Sequence, residues 1–368
     1  MDNVIVSSAF NLCIAMVCAF FISVTLTPLV RVLAFKFKVT DVPKDNRRMH
    51  KKEMPLMGGL AIYFSFTLCT LIFSEIDMKI VGILLGATLI VLTGIIDDKY
   101  NMRAIVKLLL QIAAGTITVL SGVKFEMINF FGRYISFGEW SGVVTVFWIV
   151  ALTNAINLID GLDGLSCGVS TISCFTLLFS LFNSDIEFSI IILIGILAGS
   201  CLGFLPFNFN PAKIFMGDTG ALFLGYIMSV LSILGCFKLN ALVSFWVPFL
   251  IFALPLLDTA FAFSRRILKG KNPFSADRGH VHHRLIDRGF DQKHSVLLLY
   301  AVSGISGISA ILISMDNYIG GVAMFVIAIT VLILNLTCGS DRNGMPNAGN
   351  EADIQNENDA QSEQKHDD

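Results

Sequence analysis

Charge is what this chain has least of. Asp, Glu, Lys and Arg make up 15% of its 368 residues, where a soluble domain carries about a quarter. That shortage excludes an ordinary water-soluble globule. Paired cysteines are missing too. The 8 cysteines (Cys13, Cys18, Cys69, Cys167, Cys174, Cys201, Cys236 and Cys338) include no Cys-x-x-Cys pair. All lie in or beside apolar runs, so they read as small core residues, neither a disulfide framework nor a metal site. The first segment lacks a basic n-region and a small-residue cleavage site, which predicts a retained span and not a signal peptide. No repeat of the kind that marks transporter halves is visible.

What is present is hydrocarbon, 55% of the residues. Apolar runs long enough to span a bilayer, about 17–25 residues, recur from end to end. The expected fold is an all-α polytopic membrane protein of about eleven spans, near 4–30, 58–74, 80–96, 105–121, 140–158, 165–183, 187–205, 219–236, 242–264, 295–314 and 318–338. Residues 1–338 then form one membrane domain. Residues 339–368, acidic and without aromatics, read as a disordered tail. Lys and Arg crowd the loop after the first span (Arg31 to Lys52) and the loop after the ninth (Arg265 to Lys293). The positive-inside rule makes both cytoplasmic, with the N-terminus outside and the C-terminus inside. Alternation puts the loops near 97–104, 154–164 and 206–218 on the same face, and every dense polar cluster is then cytoplasmic. The outer segment Gly122–Glu139 is expected to be an interfacial hairpin.

The densest cluster is Asn154–Gly164. Asn154, Asn157, Asp160 and Asp163 recur every three residues, which on a helix forms one stripe. Carboxylates beside hydrocarbon cost roughly 2.5–3.5 kcal/mol each at a bilayer centre, so they are functional, paired or at the water interface. Gly161 and Gly164 leave room for close approach. A capped helix end with solvated acids is the plainer alternative. Asp97 and Asp98 end the third span; they suit Mg²⁺ binding or a base beside a metal ligand, or an interface anchor with Lys99 as counter-charge. Asp218 opens the eighth span after Asn208, Asn210 and Pro211. It is either a metal ligand or an N-cap, and Phe215 offers a surface for a base to stack on. His280, His282 and His283 beside Arg278 and Arg284 lack the partners of a zinc site and suit a phosphorylated ligand better. Lys51 and Lys52, in the loop that ends at Gly59, can attract an anionic head group or a diphosphate; topology alone also explains them. Asp258 lies inside the ninth span, with a role left open between pairing with a cation and reaching the site. Carboxylates for a divalent cation, donors for phosphates and a lipid-embedded scaffold suit phosphoryl transfer to a lipid.

Five motifs, Pro-Leu-Met-Gly-Gly, Asp-Asp-Lys, Asn-x-x-Asn-x-x-Asp-Gly-x-Asp-Gly, Phe-Met-Gly-Asp and His-Val-His-His-Arg-Leu, occur in that order over about residues 40–300. In this the chain resembles the polyprenyl-phosphate N-acetylhexosamine-1-phosphate transferases, relatives of the phospho-N-acetylmuramoyl-pentapeptide transferase. The resemblance implies transfer of sugar 1-phosphate from a UDP-N-acetylhexosamine to undecaprenyl phosphate in the bacterial cytoplasmic membrane, with release of UMP and with Mg²⁺ (Mn²⁺ as the alternative ion). It implies Asp218 as metal ligand, and Asp97 and Asp98 as the pair that positions or deprotonates the lipid phosphate. Asn157, Asp160, Asp163, Asn208 and Phe215 fall to the nucleotide side, and Arg278, His280, His282 and His283 to the diphosphate and sugar. Val281 interrupts the three successive histidines of the muramoyl-pentapeptide branch and favours the N-acetylhexosamine branch. That branch, the muramoyl-pentapeptide transferase and an ion-coupled transporter are the competing readings. Partners are the nucleotide sugar, the lipid phosphate and the bilayer; a homodimer is compatible, and no nucleic acid is expected.

Overall fold

The computed structural model describes residues 2–42, 53–125, 127–130, 133–181, 187–235, 243–268, 270 and 279–337. Lys51, Lys52, Arg278, Cys236, Cys338 and the tail lie outside them. The described chain is mostly helical. In order it forms α1 (Asp2–Lys36), α2 (Gly59–Phe73), α3 (Met78–Tyr100), α4 (Ala104–Leu120), α5 (Ser141–Ile159), α6 (Leu165–Leu181), α7 (Phe188–Asn208), α8 (Gly217–Gly235), α9 (Val243–Ile251), α10 (Ala253–Leu268), α11 (Val281–Asp287), α12 (Gln292–Ser314) and α13 (Tyr318–Thr337). Among the described residues, seven helices are long and apolar enough to cross a membrane; α2, α4 and α6 are apolar but shorter, at 15, 17 and 17 residues. The expected span at 242–264 is broken between α9 and α10. Pro255 has no N–H for Ile251, four residues earlier, and its ring crowds that carbonyl. The expected hairpin is present as antiparallel β1 (Met127–Phe130) and β2 (Arg133–Ser136). Helix α1 runs past the expected end of the first span to Lys36.

Helix α8 is the axis of the bundle. Every residue from Thr219 to Gly235 is buried, with α2, α3, α5, α6 and α7 packed around it. Large apolar side chains such as Leu120, Phe147 and Ile319 remain exposed, as a lipid-facing belt requires. Between membrane helices small residues allow close backbone approach, and the glycine motifs serve that purpose. A Cβ on Gly59 would lie 2.0 Å from the Gly220 Cα, and one on Gly94 would lie 2.4 Å from the Thr219 Cα. Helices α2, α3 and α8 therefore meet backbone to backbone at one end of the bundle. The segment before α2 is sewn to the segment before α8: Phe215 N donates to Pro55 O (2.9 Å), Gly58 N to Phe215 O (3.0 Å) and Gly59 N to Met216 O (3.0 Å).

Gly59→Ala must separate α2 from α8, and overpacking of this kind costs about 1–3 kcal/mol. The purified variant in detergent is expected to melt several degrees below the wild type. An unchanged melting temperature would mean that the Gly59–Gly220 contact is loose.

Candidate active site

The N-terminus of α8 lies against the C-terminus of α3. The first N–H groups of a helix have no partner within it, and here Asp98 supplies one. Its Oδ1 accepts from Asp218 N (2.8 Å), and its Oδ2 accepts from Thr219 N (3.1 Å) and Thr219 Oγ1 (2.6 Å). A negative group at that end is also favoured by the helix dipole. Gly217 makes the junction possible, with φ at +70° and only 2.6 Å between a would-be Cβ and Asp98 Oδ2. Asp218 is thus not the cap of α8, one of the two roles its sequence position allowed. Asp98 caps α8 from another helix.

Asp218 is left to face its neighbours. Its Oδ1 accepts from Lys107 Nζ (2.9 Å) and Asn157 Nδ2 (2.5 Å). Lys107 Nζ also contacts Asp97 Oδ2 (2.7 Å) and Asn157 Oδ1 (3.3 Å). The counter-charge of Asp97 is therefore Lys107; Lys99, the counter-charge in the interface-anchor alternative, lies over the Tyr100 ring. Asp97 Oδ1 accepts from Met102 N (2.7 Å) and holds the turn into α4. One turn farther along α4, Gln111 and Asn154 exchange amide hydrogen bonds (2.6 and 3.3 Å) and set α4 against α5. Sequence reasoning missed Lys107 and Gln111. The available signal was a lone lysine just inside an apolar run, with a second polar residue four positions later on the same face.

The expected four-residue stripe on α5 is not continuous. The helix ends at Ile159, so Asn154 and Asn157 are helical while Asp160 and Asp163 lie in the following turn. Burial first, then the carboxylates of Asp218, Asp98 and Asp163, hold the Asp160 carboxyl well above the ordinary range. Asp163 turns away and holds the loop after α7, accepting from Asn210 Nδ2 (3.1 Å) and Ala212 N (3.1 Å). Asn208 serves the same loop, donating to Ile214 O (3.1 Å). Phe215 is half-buried, its backbone paired with the Pro55–Gly58 segment. The glycines are filled by protein: a Cβ on Gly161 would lie 2.2 Å from His282 Nε2, and Gly164, at φ +80°, abuts Phe209 and Tyr300.

The histidines open α11. His280 stacks on His282 with ring centroids 5.8 Å apart, and His282 lies 4.3 Å from His283. Because His282 packs against Gly161, the histidine segment sits on the turn that carries Asp160. Burial, followed by His283, pushes the His282 pKa down to about 3. Asp258 is buried beneath, bonded to His280 Nδ1 (2.8 Å) and Val281 N (2.8 Å). That settles its role as a partner of this segment.

The ends of α3, α4, α5 and α8 and the start of the short α11 thus place carboxylates, a lysine, amides and imidazoles at one end of a lipid-embedded bundle, which is the layout of a phosphoryl transferase acting on a membrane-bound substrate. The profile described as Glycosyl transferase family 4 matches residues 80–236. The chain is 41% identical to a Bacillus subtilis protein named probable undecaprenyl-phosphate N-acetylglucosaminyl 1-phosphate transferase, over 88% of this chain and 91% of that one. It is 33% identical to a Mycolicibacterium smegmatis decaprenyl-phosphate N-acetylglucosaminephosphotransferase (85% and 86%) and 32% identical to a Thermotoga maritima undecaprenyl-phosphate alpha-N-acetylglucosaminyl 1-phosphate transferase (77% and 84%). The chain belongs to this family of polyprenyl-phosphate N-acetylglucosamine-1-phosphate transferases.

Lys107→Met keeps an unbranched side chain only one atom shorter and removes the charge between Asp97 and Asp218. Transferase activity is expected to fall at least about 100-fold in protein that still elutes as a folded species, an interaction loss of about 3 kcal/mol; near-normal activity would remove Lys107 from the site. His282 makes a second expectation. Its folded pKa of about 3 lies below the ordinary 6.5, so between these values the unfolded chain binds the extra proton. Stability should rise with pH from about 3 to about 6.5 and flatten above. In His282→Gln the slope of unfolding free energy over that window should shrink, and an unchanged slope would contradict the assignment.

Proposed function

We propose that this chain moves N-acetylglucosamine 1-phosphate from its UDP ester to undecaprenyl phosphate at the cytoplasmic face of the bacterial inner membrane. The observation that supports this reading most directly is Lys107 held between Asp97 and Asp218 at the end of the helix bundle. The proposed orientation has eleven spans, with α9 and α10 as one broken span, and the N-terminus outside. An oxygen of the lipid phosphate attacks the phosphorus next to the sugar. The bond from that phosphorus to the bridging oxygen breaks, and UMP leaves with the oxygen. One phosphoanhydride replaces another, so no further energy source is needed. A phosphate monoester, with a second pKa of about 6, is already largely dianionic, so Asp97 and Asp98 need not remove a proton. Lys107 exchanges a carboxylate for a phosphate oxygen as substrate arrives, and the histidine segment donates to the diphosphate.

Asp218 also fits a divalent cation. Its side chain is 32% exposed, and its Oδ2 has no hydrogen-bond partner among the described residues. No three His, Cys, Asp or Glu side chains form a ready metal shell among those residues. That suits Mg²⁺, or Mn²⁺, which takes one or two carboxylates and leaves other positions for water and phosphate. When bound, the ion supplies charge neutralisation to the phosphate oxygens. The charged groups cluster at helix ends instead of mid-depth, which favours a transferase over an ion-coupled transporter. Purified protein with undecaprenyl phosphate and Mg²⁺ should release UMP with UDP-N-acetylglucosamine, and Asp218→Asn should nearly abolish turnover. Release only with the muramoyl-pentapeptide nucleotide would overturn the sugar assignment. Near-normal turnover of Asp218→Asn at saturating Mg²⁺ would remove Asp218 from the metal role.

A further inference from the structure

Asp258 and His280 form a buried pair, 4% and 5% exposed. A buried carboxylate needs partners, and both of its oxygens have one. Oδ1 accepts from Val281 N (2.8 Å) and Oδ2 meets His280 Nδ1 (2.8 Å). An ionised carboxylate can only accept, so Nδ1 carries the proton. Nε2 is then the ring nitrogen left for another group, and no described residue bonds it. His280 immediately precedes α11, and Asp258 ties down both its ring and the first N–H of that helix. Leu254 of α10 belongs to the same buried apolar cluster as Val281 and Leu285, so the segment is held by packing as well. A ring whose tautomer and orientation are set by a carboxylate presents its free nitrogen in a fixed state.

We infer that Asp258 is a positioning residue for the transfer reaction: it holds His280 as the Nδ1–H tautomer and so presents Nε2, an acceptor, to a hydroxyl or amide N–H of the sugar in the nucleotide sugar. The inference rests on the transferase reading for its substrate, and on the Asp258–His280 geometry for the rest. Asp258→Asn separates geometry from charge state. The amide oxygen still accepts from Val281 N, while the amide NH₂ donates to Nδ1 and drives the proton to Nε2.

The test is a double-mutant cycle with His280→Ala, reading kcat and KM for UMP release, together with ¹⁵N shifts of labelled histidine in wild type and Asp258→Asn. The His280 signals are identified by their loss in His280→Ala. Expected are an Nδ1–H tautomer in the wild type and the reversed tautomer in Asp258→Asn. The single variants should each lower kcat by more than 50-fold, and the double variant should be no worse than His280→Ala alone. Asp258→Glu, which keeps the acceptor, should recover part of the loss. Multiplying losses, or a wild-type His280 with its proton on Nε2, overturns the inference while leaving the transferase reading intact. Absence of turnover in the wild type overturns the transferase reading and with it the substrate half of the inference; the shifts still decide the tautomer. Should Asp258→Asn fail to fold, Asp258→Glu with and without His280→Ala carries the same cycle.

Discussion

A helix N-terminus buried among other helices has to find acceptors for its free N–H groups, and the site is built on how α8 solves that problem. The acceptor comes from Asp98 on α3, 120 residues earlier in the chain. This bond fixes α8 against α3 at the level where both helices end. Asp218 follows at once, with its backbone N–H in the bond and its side chain pointing elsewhere. Two neighbouring aspartates therefore have unlike tasks. Asp98 is consumed by the helix end, while Asp97 shares a lysine with Asp218.

The rest of the arrangement serves the same junction. Glycines at positions 59, 94 and 220 bring α2, α3 and α8 into backbone contact, so the end of the bundle does not spread where the polar groups lie. Gln111 and Asn154 register α4 against α5 and carry Lys107 to Asn157. Gly161 leaves space for His282, and Asp258 anchors the segment that follows His280. Helix packing, polar registration and carboxylates from several elements thus converge on a site that no single loop contains.

The spans were legible because a run of about 20 apolar residues declares itself, and the clusters were legible because carboxylates and histidines beside hydrocarbon stand out. The hairpin also followed from the sequence, as did the gathering of Asp97, Asp98, Asp218 and the histidines at one end of the bundle. Roles were harder to read. Nothing local to Asp97 and Asp98 distinguishes them, since their partners lie on α4 and α8. The stripe on α5 was overextended because periodicity does not show where a helix stops. Gly161 and Gly164 looked like room for a ligand, yet protein fills that room. Val281, which looked like an interruption of a histidine run, is a buried apolar contact of α11. Lys107 was hidden in a run read only for its hydrophobicity. The break before α10 escaped notice because Pro255 sits inside an otherwise continuous apolar stretch.

The most direct test of this account is an electron cryo-microscopy structure of the protein with UDP-N-acetylglucosamine and Mg²⁺. The account predicts ion density on Asp218, the diphosphate between Lys107 and the His280–His283 segment, and Asp98 still bound to the N–H groups of Asp218 and Thr219. An ion held by Asp98, with the N-terminus of α8 released from it, would contradict the central claim.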